Sequence, residues 1–558
     1  MCTALLPLVA AWAIISCLIP RGLANDDFQL WFMYCGGGTG SVPFSMHSGV
    51  LEGWLFMALN ALSDQVNWYL VLLHFICSAA CLGLNLHAST RWSRNQDSSS
   101  AFGTARLVTM LAVLTYINYQ SIYHAQYTYI AILCACVSLF LFFDWWKGIG
   151  GAGRLAASLL LFCCAYELRD QSMAAFCIIG LGVIVAGLLT LRHAASPRRG
   201  LCILVYPLLL GALVATDKLT FQASPEWNEA KQFCLARIGI QDSPDNSGID
   251  KAPALTAIGT NNADYEIFKT FTYIPGFCNE SASEIARVRD IHQSQRRGLL
   301  GLELAAKAGF LAMDDYKFKG GSTLLRALDP WIPLSIGLIL LVAGLNRRAL
   351  LHALPMLAAI LLYFGVLLLL QRAVDRVLHP VLYAGGVWIL ASPATSNQLS
   401  RHWLSCAVLS LACVLAACFP FRHARWYLQE APPAWKYCAE RPQNLYLTAS
   451  MQDLGIFPTG WTGISRNYLA HSNIIPISDG WCFYSPAYRK ALQTRRITNP
   501  YAEILNPGTF IITQNDKNPE SMLQIISRVH QRQCGRQLQF RQVETVGNYT
   551  FWQAEAQP

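Results

Sequence analysis

Charge is what this chain lacks. Only 13% of its 558 residues are Asp, Glu, Lys or Arg, against roughly 25% in an ordinary soluble domain. That deficit excludes a disordered chain, a fibrous protein and a nucleic-acid coat, and argues against a wholly soluble enzyme. The 19 cysteines form no Cys-x-x-Cys pair and no Cys/His cluster at zinc spacing, so no redox dithiol or zinc module is written in them. Most, such as Cys77, Cys81, Cys134, Cys136, Cys163 and Cys164, lie in apolar runs and act there as small hydrophobes. No Gly-Lys-Ser/Thr follows the glycine cluster at 36–40, which excludes a Walker A loop. There is no internal repeat and no low-complexity tract. Residues 1–10 hold no Lys or Arg, which the start of a secretory signal normally has, so the first apolar run reads as a span and not as a cleaved leader.

What is there is apolar. Hydrophobic residues make up 54% of the chain and the mean hydropathy is +0.33. Apolar runs mark about eleven spans, near 4–23, 67–86, 105–120, 127–144, 155–168, 173–191, 201–216, 331–346, 350–371, 378–394 and 403–421; a helix needs about 20 residues to cross the hydrocarbon core. Lys and Arg in short loops set the orientation. With the N-terminus inside, the inner loops carry Arg91, Arg94, Lys147, Arg154, Arg192, Arg198, Arg199, Arg347, Arg348 and Arg401, and the short outer loops only Arg169, Arg372 and Arg376. The net charge of +9 is then mostly loop anchoring, and implies no nucleic acid.

This topology divides the chain into an N-terminal transmembrane module, 1–216, whose first outer loop is 24–66; a large outer loop, 217–330; a second transmembrane module, 331–421; and an outer C-terminal domain, 422–558. The loop reads as helical at Pro225–Ile238, Ser281–Arg297 and Gly298–Met313. The C-terminal domain reads as a small α/β unit with a mixed sheet. Its strand-like runs are Leu445–Leu447, Gly508–Thr513 and Arg541–Trp552, with a helix at Pro519–Gln531 and a turn at Asn506-Pro507-Gly508. Cys234 and Cys278 fall in polar sequence and could pair if that segment faces an oxidising compartment.

Chemistry concentrates at the outer ends of the spans. Asn25-Asp26-Asp27 places two carboxylates just outside the first span, where an Asp can take a proton from an attacking hydroxyl or a pair can hold a hard cation; the plainer reading is a solvated loop start. Gly36-Gly37-Gly38-Thr39-Gly40 follows, as a turn-rich loop or a phosphate cradle. Residues 49–63, apolar but interrupted by Glu52, fit an interfacial helix with Trp54 at headgroup level. Arg169 follows Glu167-Leu168, and Arg372 and Arg376 precede His379-Pro380. A planar guanidinium suits phosphate, and the alternative is local pairing of Arg169 with Glu167 or Asp170, and of Arg372 or Arg376 with Asp375. Tyr116, Asn118, Tyr119, Gln120, Tyr123, His124, Gln126, Tyr127 and Thr128 crowd one outer end, as an interfacial aromatic belt or a sugar-lined groove. Asp144-Trp145-Trp146 lies inside and reads as an anchor. Asn279-Glu280-Ser281 and Asn548-Tyr549-Thr550 match the glycosylation sequon, a pattern frequent by chance.

With those residues in view, the chain resembles the GT-C superfamily of multispan glycosyltransferases that use polyprenyl-phosphate-linked sugars, and within it bacterial O-antigen glucosyltransferases of the GtrII-like type. The resemblance is carried by Asn25-Asp26-Asp27, the following Gly-Gly-Thr-Gly, Asn67-Trp68-Tyr69, Tyr127-Thr128-Tyr129-Ile130-Ala131, Glu167-Leu168-Arg169, Arg372 to Arg376 before Pro380, and Ser485-Pro486. It implies a GT-C-like polytopic α-helical fold in a bacterial plasma membrane, with the C-terminal domain extracytoplasmic. It implies sugar transfer, with inversion, to a glycan or lipid-linked acceptor. Asp26 or Asp27 would be the base, or would hold a divalent cation. Arg169, Arg372 and Arg376 would bind the leaving phosphate, and His124 and Glu52 would line the substrate groove. No second carboxylate motif of the family is matched in 217–330, where Asp264, Asp314 and Asp315 are the candidates. The competing readings are a lipid-linked sugar flippase or transporter, an O-antigen-type polymerase, and a non-catalytic scaffold.

Overall fold

The computed structural model describes residues 2–16, 30, 34, 42–63, 66–93, 101–123, 125–190, 202–241, 255–256, 262–269, 273–296, 347–369, 375–391, 433–448, 473–477, 483–515 and 519–557. The expected spans 331–346 and 403–421, and the expected helix Gly298–Met313, lie outside them.

The N-terminal module consists of helices α1 (Cys2–Ser16), α2 (Val50–Leu62), α3 (Trp68–Ser93), α4 (Ala101–Tyr123), α5 (Tyr127–Trp146), α6 (Ala152–Leu168), α7 (Ser172–Thr190) and α8 (Val205–Gln222). Among the described residues, four stretches are long and apolar enough to cross a membrane: Trp68–Arg91, Tyr127–Trp146, Ser172–Leu189 and Cys202–Gln222. The chain is a largely helical, polytopic membrane protein. The third expected span lies inside the longer α4, and the seventh runs on to Gln222, so Asp217 sits on a helix and not in the loop.

The centre of the bundle is α5. Every residue from Tyr127 to Asp144 is buried, as befits a helix apolar on all sides. It packs against α3, α6 and α7 and against α13 (Asp375–Leu390), while α12 (Arg347–Leu369) packs on α7. Close approach depends on small residues. A Cβ at Gly83 would lie 2.7 Å from Val137, and one at Gly182 would lie 2.9 Å from the Pro355 carbonyl oxygen. Leu181, Leu188, Leu208, Leu219 and Leu361 point outward, where hydrocarbon is a compatible neighbour.

Tyr116, Asn118, Tyr119, Gln120, Tyr127 and Thr128 are all buried. They form no exposed aromatic belt. Amides facing lipid are costly, and α4 and α5 turn them into the bundle.

The large loop and the C-terminal domain fold together. Helices α9 (Pro225–Gln241), α10 (Asn262–Lys269) and α11 (Ala282–Arg296) come from the large loop; α14 (Pro433–Ala439), α15 (Pro486–Thr494) and α16 (Pro519–Cys534) come from the C-terminal domain. That domain holds a five-stranded mixed sheet of β1 (Leu445–Thr448), β2 (Ile474–Pro476), β3 (Thr509–Gln514), β4 (Leu538–Val546) and β5 (Tyr549–Ala556). The order is β2-β1-β3-β5-β4; β1 runs parallel to β2 and β3, and β5 antiparallel to β3 and β4. The run Arg541–Trp552, expected as one strand, is a hairpin broken at Gly547-Asn548. Gly547 has φ +60° there, a conformation that hairpin turns require. One core joins Phe233 and Ile240 of α9, Ile285 and Val288 of α11, Ile511 of the sheet, and Ile526 of α16. Tyr501 donates to the Tyr273 carbonyl at 2.8 Å, and Gln533 to the Pro275 carbonyl at 2.9 Å. Cys234 and Cys278 do not form the expected disulfide with each other: Cys234 is buried in one apolar core and Cys278 in another.

Candidate functional site at the outer end of the bundle

Residues 45–49 form a tight strap over α6. Ser45 Oγ accepts from the backbone N–H groups of His47 and Ser48, both at 3.2 Å. Ser48 Oγ donates to the Leu168 carbonyl at 3.1 Å, and the Gly49 N–H to the Glu167 carbonyl at 2.7 Å. The interfacial helix expected at 49–63 is α2. Its first-turn N–H groups need acceptors, and carboxylates from distant helices supply them. The Val50 N–H donates to Asp217 Oδ1 at 2.9 Å, and the Glu52 N–H to Glu167 Oε2 at 3.1 Å. Negative charge at a helix start is also favoured by the helix dipole. Asp217 Oδ2 accepts from the Tyr166 hydroxyl at 2.8 Å. Glu52 is buried, with Oε2 at 3.4 Å from the Tyr34 hydroxyl that donates to it.

Arg169 emerges where α6 ends. It does not pair with Glu167 or Asp170, the local alternative open in the sequence. Its Nε and Nη2 donate to Gln171 Oε1 at 3.3 and 3.1 Å. Its Nη1 donates to the Tyr127 hydroxyl and, at 3.3 Å, to Thr128 Oγ1. The guanidinium carbon stands 5.3 Å from the centre of the Tyr127 ring. These partners are neutral, so Arg169 keeps an unneutralised charge among the described residues. The reason is geometric: Glu167 faces the opposite way, into the strap, where a Cβ on Gly49 would lie 2.2 Å from its Oε2.

Several buried polar atoms at this end have no hydrogen-bond partner among the described residues: Asn67 Nδ2, both amide atoms of Asn118, Gln126 Nε2 and Glu167 Oε1. Buried polar groups are nearly always satisfied, so these atoms call for further partners, such as water or a bound ligand. Asn118 and Gln126 belong to the sugar-groove alternative read from sequence. Glu167, Asp217 and Lys231 were missed as a group, because three separate helices bring them together and no spacing signals it. Lys231 on α9 stands 3.9 Å from the centre of the Phe221 ring. Burial pulls its ammonium below the usual lysine range, against the opposing pull of Asp217 and Asp170.

Of the other expected site residues, Arg376 is described, half-buried in the first turn of α13, with no carboxylate partner among the described residues. Asp26, Asp27, His124 and Arg372 lie outside the described residues, as does the glycine cluster 36–40. Among the described residues no three His, Cys, Asp or Glu side chains are placed to hold a metal ion. Glu167 and Asp217 are occupied as helix caps, and the expected cation ligands Asp26 and Asp27 lie outside this set.

No family model and no curated protein matches the chain. Among solved structures, ArnT from Cupriavidus metallidurans bound to undecaprenyl phosphate is similar at 13% identity and a TM-score of 0.38, over 99% of this chain and 97% of that one. The apo form of the same protein is similar at 12% identity and a TM-score of 0.36, over 98% and 96%.

Proposed function

We propose that this chain is a membrane glycosyltransferase. It takes a sugar from a polyprenyl-phosphate donor and transfers it, with inversion, to an extracytoplasmic glycan or lipid-linked acceptor. The observation that carries the reading is Arg169: a guanidinium at the outer membrane end, fixed in orientation by Tyr127, Thr128 and Gln171, and without a carboxylate partner among the described residues. The unpartnered amides of Asn67, Asn118 and Gln126 add donors and acceptors of the kind a sugar engages.

In the reaction the acceptor oxygen attacks the anomeric carbon, the bond to the phosphate oxygen breaks, and the acceptor proton passes to a carboxylate. Following the sequence resemblance, that carboxylate is Asp26 or Asp27. Arg169 stabilises the charge that develops on the leaving phosphate, with Arg372 and Arg376 as its partners by the same resemblance. Such fixed charge is usually the largest single contribution to catalysis.

The test uses protein purified into lipid and a panel of polyprenyl-phosphate sugars. Consumption of a donor by the wild type, lost in Asp26→Asn or Asp27→Asn and in Arg169→Gln, supports the reading. No consumption of any donor, or equal consumption in all variants, overturns it.

A further inference from the structure

The end of α6 carries an acid and a base close enough in sequence to neutralise each other, Glu167 and Arg169, and the strap keeps them apart. Arg169 turns toward the start of α5, where Tyr127 and Thr128 accept from it. Glu167 turns toward α2, where its Oε2 accepts from the Glu52 N–H at 3.1 Å. The seat for this carboxylate is built by the strap and α2. Gly49 gives it room, since a Cβ there would lie 2.2 Å from Oε2 and 2.9 Å from Oε1. Gly49 itself has φ −71° and ψ 159°, which any residue adopts, so space and not conformation calls for glycine. Oε1 has no hydrogen-bond partner among the described residues, so the seat grips the carboxylate by one oxygen.

The strap is itself set from its other side. Phe44, just before it, stacks on Trp227 of α9 with ring centres 5.0 Å apart and meets Phe221 of α8 at 5.2 Å. The Val50 N–H is held by Asp217 of α8. Helices α8 and α9 therefore fix the first turn of α2, and that turn fixes Glu167. A carboxylate and a phosphate compete for the same planar fork of guanidinium donors. With Glu167 drawn away, the Arg169 fork meets neutral oxygens among the described residues.

We propose that docking of the strap controls whether Arg169 can take an anion. With α2 in its seat, Glu167 is sequestered and the guanidinium accepts a phosphate. With the strap displaced, Glu167 is released and neutralises it. Gly49 and the Glu52 N–H are positioning groups that act through Glu167. The inference rests on the glycosyltransferase reading for the identity of the anion, the phosphate of a polyprenyl-phosphate donor.

The experiment measures the effect of Gly49→Ala with and without Glu167→Gln, on the full chain in lipid. Three quantities are read: kcat/KM with a cognate donor, affinity for undecaprenyl phosphate without a sugar, and thermal stability. Gln has the bulk of Glu without its charge, so Gly49→Ala unseats the side chain in both backgrounds and lowers stability alike in both. With Glu167 present, Gly49→Ala is expected to lower kcat/KM about 10²-fold and to weaken undecaprenyl phosphate about tenfold. In the Glu167→Gln background the same substitution changes either value by less than about threefold. A purely structural role for Gly49 predicts equal losses in the two backgrounds, and that result overturns the proposal, as does wild-type function in Gly49→Ala alone. Wild type that binds undecaprenyl phosphate but consumes no donor overturns the glycosyltransferase reading, and the affinities then decide the switch. Wild type that neither binds nor consumes overturns both.

Discussion

Asn in place of Asp144 is the substitution with the largest consequence. Asp144 sits 2.8 to 3.0 Å from Arg154, His87 and Arg91, with Asp144 and His87 fully buried. At an effective dielectric of about 20, a charge pair with centres about 4 Å apart is worth about 4 kcal/mol. Two guanidinium pairs therefore carry a gross attraction of about 8 kcal/mol. Part of it is offset already by the mutual repulsion of Arg91 and Arg154, and Asn keeps one acceptor oxygen. Buried pairs broken on one side cost about 3–5 kcal/mol, and that is the expected loss for Asp144→Asn. Arg154→Gln costs less, about 1–3 kcal/mol, because Arg154 is partly exposed and Asp144 keeps Arg91 and His87. The double variant costs less than the sum of the two, by about 1–3 kcal/mol. Reversible unfolding by SDS titration in mixed micelles measures all three. A loss under about 1 kcal/mol for Asp144→Asn, or strict additivity in the double variant, refutes the view of Asp144 as a shared counter-charge.

At Gly53, an Ala would normally favour a helix by about 0.5–1 kcal/mol. Its Cβ, however, would lie 2.1 Å from the Pro43 carbonyl oxygen, so Gly53→Ala is expected to destabilise by about 1–3 kcal/mol in thermal unfolding. Arg169→Gln should lower kcat with a cognate donor about 10²–10³-fold, and Arg169→Lys should recover only part of it, since Lys cannot span Tyr127 and Gln171 together. Asn118→Leu should leave stability unchanged or raise it by about 1–2 kcal/mol, because it removes a buried unpartnered amide, while donor turnover falls; loss of both would contradict this reading. Burial lowers the pKa of Lys231 in the folded state. The unfolded chain therefore binds more protons there than the folded chain, and stability rises as pH climbs through the lowered value toward 10.5. Lys231→Met should flatten that rise in a stability–pH series, and an unchanged slope would count against it.

The helical layout was legible because hydropathy and loop charge are strong one-dimensional signals. The ends that the loop charges assign to the inside, Arg91, Lys147 and Arg154, do lie together, as do the outer Tyr127 and Arg169. What was not legible came from contacts between distant segments. Arg169 has carboxylates on either side in sequence, at Glu167 and Asp170, and local pairing looked equally good. The choice was made by Gly49 and Glu52, over a hundred residues away, which draw Glu167 into the strap. Asp144-Trp145-Trp146 looked like an interfacial anchor for the same reason. Its partners His87, Arg91 and Arg154 come from two other helices. The β4–β5 hairpin was missed because its turn, Gly547-Asn548, interrupts an otherwise continuous strand-like run.

The two charged ends meet in one structural unit, the α5–α6 pair. Arg154 at the start of α6 is bound to Asp144 at the end of α5. Arg169, just beyond the end of α6, is bound to Tyr127 and Thr128 at the start of α5. Midway, Ser138 Oγ donates to the Ser158 carbonyl at 2.8 Å, and the Ser158 hydroxyl donates back to the Ser138 carbonyl. A slip of α6 along α5 by one helical turn is about 5.4 Å, enough to break all three connections together. The pair therefore has one register. A site residue is only as well placed as the elements that hold it, and Arg169 is held by a helix pair pinned at both ends and in the middle. The buried ionic hub at one end of the pair thus contributes to the position of a guanidinium at the other end, through rigid geometry alone.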